Sequence, residues 1–154
     1  MPQLVKGGKY IFGWSKINNH GVIRIPDEAY LEYEFNQDDK GIIISGSKTS
    51  GGFGLSSKRL LKKTFLGKSL ISNPELMNFQ IPEGNVIKIK NKRFCWIDLK
   101  ETKSIHLPKP TLKEYSININ EKLLVGRGSG LALAFISKGP IYEEAKKHTN
   151  IPHF

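Results

Sequence analysis

The chain has 154 residues with a single cysteine, is 38% hydrophobic and 25% charged, and carries a formal net charge of +10. That length allows one domain or two small ones at ~150 residues per domain, and the apolar content excludes a chain too polar to fold. The longest apolar run, Leu131 to Ile136, falls far short of the ~20 residues of a membrane-spanning helix, Met1 to Phe12 lacks the apolar core of a secretory signal, and Cys95 alone makes no internal disulfide, so a cytoplasmic protein is expected, with a basic surplus suited to polyanions.

In chain order, Tyr10, Phe12 and Trp14 alternate at the period of a strand. Asn18 to Gly21 is a turn cluster, and Val22 to Ile25 a short β-branched strand with Ile23 and Ile25 on one face and Arg24 on the other. Pro26 stops it, and Asp27 to Tyr33 reads as a short helix with acids in its first turn. After a polar turn, Gly41 to Ile44 is a strand, followed by a Gly/Ser-rich stretch from Ser45 to Gly54. Ser57 is placed to cap a helix from Lys58 to about Phe65, and Ser69 to Glu83 is a proline-punctuated connector. Lys92 to Leu99 and Ser104 to Leu107 read as strands, and Thr111 to Tyr115 as one helical turn that Pro110 keeps from extending backward. Leu123 to Val125 and Leu131 to Ile136 are strands, and Pro140 to His148 is a terminal helix.

The second half of this order repeats the first. At a spacing of 82, twelve of the 48 pairs from residue 6 to residue 53 are identical without a gap, among them Trp14/Trp96, Ile23/Ile105, Pro26/Pro108, Glu32-Tyr33/Glu114-Tyr115, Gly46-Ser47/Gly128-Ser129 and Phe53/Phe135. Chance would give roughly three, since common residues are each only ~5–10% of a sequence. The reading is two copies of one supersecondary unit, each of ~50 residues and so too small to bury a core alone. Packed on each other they would form a pseudo-dimer like a homodimer. The organisation expected is a first unit over 1–56, a helical and irregular connector over 57–84, and a second unit with a C-terminal helix over 85–154.

Gly21-Val22-Ile23-Arg24-Ile25-Pro26, leading into a short helix, a polar turn and a strand, resembles the swapped-hairpin unit of the AbrB, SpoVT and MazE group of β-barrel DNA-binding proteins. Ser104-Ile105-His106-Leu107-Pro108 carries the pattern again, with Lys103 in place of the turn glycine. The likeness spans about 50 residues of each copy. It implies a mainly β fold with short helices, in which two swapped-hairpin-like units complete one intramolecular barrel, and it implies a non-enzymatic DNA-binding protein, a transcriptional regulator. Val22 departs from the family, which has a basic residue directly after the turn glycine.

Charge is uneven along the chain. Residues 1–26 carry four bases and no acid, residues 27–39 six acids and no base, and residues 84–108 six bases against two acids. The front strands of both units are therefore basic, and paired they would form a face that tracks phosphates. Lys16, Arg24, Lys100 and Lys103 are the candidate nucleic-acid contacts, with Arg24 suited to guanine. The aromatics beside them read as the buried face of the strands in preference to base-stacking platforms. Arg59, Lys62 and Lys63 share a helix face that is either an auxiliary polyanion contact or the wet side of a packed helix.

Arg127, Gly128 and Ser129, in the run Gly126 to Gly130, are candidates for holding a small anion, against the alternative of a bulge or hairpin turn. The alternative function is thus a ligand-sensing or protein-interaction module on the same fold. None of the four histidines pairs with another or with Cys95 at metal-ligand spacing, and no nucleotide-loop or serine-elbow motif is present. No cofactor, metal or enzymatic activity is expected. DNA is the expected partner, with a small anion and a second copy of the chain left open.

Overall fold

The structure is a computed structural model that describes residues 3–5, 9–63, 73–99, 103–129 and 131–154. It is mainly β with short helices. In chain order come β1 (Gln3–Val5), β2 (Lys9–Lys16), β3 (Val22–Arg24), α1 (Asp27–Glu32), a 3-10 turn (Phe35–Gln37), β4 (Lys40–Ser45), β5 (Phe53–Ser56), α2 (Lys58–Leu61), α3 (Pro74–Met77), β6 (Ile87–Ile89), β7 (Lys92–Asp98), β8 (Ser104–His106), α4 (Lys109–Glu114), β9 (Lys122–Ser129), β10 (Ala132–Ile136) and α5 (Pro140–Lys146). No helix among the described residues is long and apolar enough to cross a membrane.

The strands form an eight-stranded sheet in the order β1-β2-β9-β10-β5-β4-β7-β6 and a two-stranded ribbon, β3-β8. Every named strand pairing is antiparallel. Strands of the front segment reach into the rear one: β2 pairs with β9, β4 with β7 and β5 with β10. Two pairs of residues matched at the spacing of 82 face each other across strands, Ile23 with Ile105 in the ribbon and Phe53 with Phe135 where β5 meets β10. The two phenylalanine rings stack with centroids 4.7 Å apart.

The large sheet is open where a closed barrel was expected. Among the described residues β1 and β6 each have one strand neighbour. The three-residue strands β3 and β8 pair with each other and so join neither edge, and Pro26 and Pro108, immediately before α1 and α4, keep them short.

Alternation along the strands splits the apolar residues between the two faces of the sheet. Ile43, Leu123, Val125, Leu133 and Phe135 turn inward to Ile23, Ile105, Leu107, Leu112, Tyr33 and Tyr115 from the ribbon and helices. The opposite face holds two smaller clusters. Ile42, Ile44 and Phe94 pack with Leu61, Leu76 and Met77 of the connector, and Ile11, Trp14 and Leu124 pack with Ala145 of α5 and Ile151. Polar anchors hold the connector in place: the Trp96 indole donates to the Ile81 carbonyl (2.6 Å), and the Thr111 hydroxyl donates to that of Gly84 (2.6 Å). Ser57 caps α2 by accepting from Leu60 N, as its position suggested.

Two local expectations need correction. Tyr10, Phe12 and Trp14 do not share a face, because the register of β2 against β9 shifts between Ile11 and Gly13. This bulge sends Phe12 into the main core and Trp14 into the opposite cluster. Residues 152–154 run alongside it: Trp14 N donates to Pro152 O, and Phe154 N to Trp14 O. A Cβ on Gly13 would stand 2.6 Å from Pro152 O, so that strand approaches too closely for a side chain. Pro110, expected to bar earlier helix, sits inside the first turn of α4, where a missing N–H costs nothing.

Two predictions follow from the core. Phe135→Ala removes one ring of the stacked pair and should cost about 3–5 kcal/mol in urea unfolding, the range for a buried phenylalanine. A loss near zero would mean that the β5–β10 junction contributes little. Burial pushes the Cys95 thiol up to about 12 and the Tyr33 phenol up to about 12, and raises Tyr115 as well. Folded chains hold these protons more tightly than unfolded ones, so their contribution is fully present below the ordinary thiol value of 9.0 and is lost as pH climbs toward 12. Stability measured by denaturant should therefore fall across that alkaline window, and Cys95 should resist alkylation at pH 8 until the chain unfolds.

Candidate nucleic-acid interface

The ribbon presents the cations. Ile23 and Ile105 are fully buried, so their neighbours Arg24 and His106 turn to solvent. Arg24 lies opposite Ser104, and His106 opposite Val22. Three residues per strand make a ribbon about 10 Å long.

Arg24 and Lys103 converge on one carboxylate. Arg24 Nη2 donates to Asp27 Oδ1 at 3.2 Å, and Lys103 Nζ stands 3.5 Å from the same oxygen. Lys103 Nζ also lies 5.6 Å from the Tyr30 ring centroid. The Arg24 hydrogen bond, with the Lys103 charge beside it, holds the Asp27 carboxyl below its ordinary value. Asp27 therefore offsets one of two positive charges and brings an acid of the 27–39 run onto the basic face. The position corresponding to Asp27 at the start of α4 is Lys109, exposed and basic.

Lys103 reaches Asp27 from an unusual backbone. Its φ is 58°, in the left-handed region that costs a non-glycine residue about 1–3 kcal/mol. Gly21, 82 residues earlier, has φ 79° and performs the matching task. The Lys103 carbonyl accepts from Ile25 N at 2.8 Å, and the Gly21 carbonyl from Leu107 N at 2.9 Å. These reciprocal bonds tie the ends of β3 and β8 together.

Lys16 does not join this cluster. Ser15 faces the ribbon, its hydroxyl donating to Arg24 O at 2.8 Å, so Lys16 takes the other face of β2 with Trp14. It lies across from Lys122, and both are exposed. Lys100 lies outside the described residues. The sequence therefore named two cations that meet, one that faces away and one whose place is not described. His106, 82 positions after Arg24, is the other exposed residue of the ribbon and was not among the sequence candidates.

The Arg127 to Ser129 segment is strand, not loop. Arg127 of β9 pairs with Leu133 of β10, and the register shifts between Ala132 and Leu133. Its guanidinium stacks on Tyr10, 3.9 Å from the ring centroid, and donates to both carboxylate oxygens of Glu32, with Nε at 2.6 Å. A Cβ on Gly128 would fall 2.9 Å from Ala132 O, so glycine serves the close approach of the bulged strands. Arg59 is likewise engaged, bonding both oxygens of Asp38 and the carbonyls of Tyr33 and Glu34. Lys62 and Lys63 are exposed.

The backbone at residue 103 can be separated from its charge. Because a Cβ is costly at φ 58°, Lys103→Gly should be more stable than Lys103→Ala by about 1 kcal/mol in thermal or urea unfolding. Equal stabilities would show that the left-handed turn carries no strain. No protein-family model matches the chain, and no curated protein matches it in sequence.

Proposed function

We propose that the chain is an internally duplicated, swapped-hairpin protein of AbrB type that binds duplex DNA without enzymatic activity, as a cytoplasmic regulator. It contacts phosphates and base edges through the β3–β8 ribbon. Support for the duplication comes from the strand pairings. Exchanging residues 82 apart turns the order of the large sheet into its own reverse, and Ile23/Ile105 and Phe53/Phe135 lie where the two halves meet.

The observation that carries the DNA reading is the pair Arg24 and Lys103 at one edge of an exposed two-stranded ribbon, with Lys103 kept in a conformation that glycine fills in the other half. A B-DNA major groove about 12 Å wide admits a two-stranded β-ribbon. Phosphate competes with Asp27 for the two cations, which then neutralise the backbone.

A second reading, a protein-interaction or ligand-binding module on the same fold, is favoured by Asp27 itself, since an acid inside the basic face repels a phosphate.

Duplex binding followed by fluorescence anisotropy across a salt series decides between them. The DNA reading expects each neutralised phosphate to contribute about −0.9 to the slope of log K against log salt, so Arg24→Ala with Lys103→Ala should flatten the slope by about 1.8. Asp27→Asn, which frees both cations, should tighten binding. Absence of binding at ~50 mM salt, or an Asp27→Asn variant that binds no better, would favour the module.

A further inference from the structure

We propose that the hollow between the β4–β5 loop and the end of α4 binds a small phosphate-class anion, at a site separate from the ribbon. The hollow has a volume of about 500 Å³, and its wall combines Lys48, Arg93 and Lys138 with the serines of the Gly/Ser-rich loop.

Hydrogen bonding leaves this wall with donors to spare. Ser45 Oγ accepts from Arg93 N at 3.0 Å, and Ser47 Oγ accepts from Ser50 N at 3.1 Å. A hydroxyl used as an acceptor keeps its own proton to donate. Lys48 and Lys138 are exposed and form no ion pair among the described residues. Of the two carboxylates of the hollow, Glu114 is paired with a cation, accepting from Arg93 Nε at 3.3 Å, whereas Glu121 accepts from the neutral Asn118 N at 3.1 Å and keeps its charge. The two unpaired lysines thus outnumber the one carboxylate without a cation among the described residues, Glu121, and with the serine O–H donors they are the set that recognises a phosphoryl oxygen.

The chain contains its own comparison. A second hollow of about 320 Å³ is lined by Glu32, Tyr33 and Glu34, which stand 82 residues before Glu114, Tyr115 and Ser116. There Arg127, the counterpart of Ser45, closes on Glu32, and Arg59 is held by Asp38 with Glu34 3.9 Å away. Carboxylates occupy both of its arginines, which leaves one lysine, Lys63, in its lining. In the β4–β5 hollow Ser45 stands in the place of Arg127, Arg93 is the arginine that pairs with the carboxylate, and two lysines remain unmatched, so an external anion completes it.

Titration with inorganic phosphate against chloride at matched ionic strength, read by calorimetry and amide chemical shifts, tests this. Expected is saturable binding with shifts confined to the β4–β5 loop and residues around Lys138. Lys48→Ala with Lys138→Ala should weaken it at least about tenfold, as loss of charge-assisted hydrogen bonds implies. Both lysines are exposed, so thermal unfolding should not move. Glu121→Gln should tighten binding. The ribbon variant Arg24→Ala with Lys103→Ala should leave phosphate affinity unchanged, whatever it does to duplex DNA. The site is overturned by no saturation at about 10 mM phosphate, ten times a millimolar Kd. Binding that survives loss of both lysines, or that disappears with the ribbon variant, overturns it equally.

Discussion

The fold depends on strands that find their partners in the other half of the chain. β2 lies against β9 and β4 against β7, and the interior between sheet and ribbon is lined from both halves. Among the described residues, the strands within either half pair only two by two, β1 with β2 and β4 with β5, β6 with β7 and β9 with β10, so the continuous sheet and the main core form only when both halves are present. The ladders agree in register: Lys16 faces Lys122 in one, and Lys40 faces Asp98 in the other, at positions 82 apart. A slip of one residue in either would turn Leu123 and Val125, or Ile43, out of the core.

Much of this was legible in the sequence because the signals are local or repeated. Pro26, after a short β-branched run, marked the entry to α1, and the spacing of 82 maps Val22–Arg24 onto Ser104–His106 and Asp27–Glu32 onto Lys109–Glu114, where the second helix begins before the Thr111 expected from Pro110. The misses come from contacts distant in sequence. Nothing near Phe12 announces a bulge, which accompanies residues 152–154 lying across Gly13. The open sheet was hidden because strand periodicity says nothing about which edges meet. In the candidate interface, Arg24 was found from alternation alone, whereas the contact of Asp27 with Lys103 spans 76 positions and required the fold.

Under the 82-residue spacing several core positions match, while exposed positions include both matches, such as Glu32/Glu114 and Asn36/Asn118, and changes of charge. Ile23/Ile105, Tyr33/Tyr115 and Phe53/Phe135 match in the core. On the surface Arg24 becomes His106, Asp27 becomes Lys109, and Lys16 becomes Asp98. A shared interior constrains shape and volume, while a solvated side chain is free to change. Where the halves differ is where a single-chain arrangement can do what two identical chains cannot: present one acidic and one basic shoulder beside the same ribbon.

The net charge of +10 overstates the cationic surface available to a partner. Lys40 bonds Asp98 at 2.9 Å while lying 4.7 Å from the Trp96 ring centroid, so part of its charge serves the packing of β4 on β7. Arg59 and Arg127 are spent on carboxylates that join elements far apart in sequence. Lys88 is exposed on the edge strand β6, across from Arg93 of β7, where a lysine discourages pairing with another sheet. A basic total is thus assembled from structural ties, edge protection and a smaller remainder. Only that remainder, where cations gather against few acids or where their acid can be displaced, bears on recognition. By this criterion the ribbon edge at Arg24 and Lys103 outweighs the larger but scattered set of surface lysines, because there the two charges share one replaceable partner.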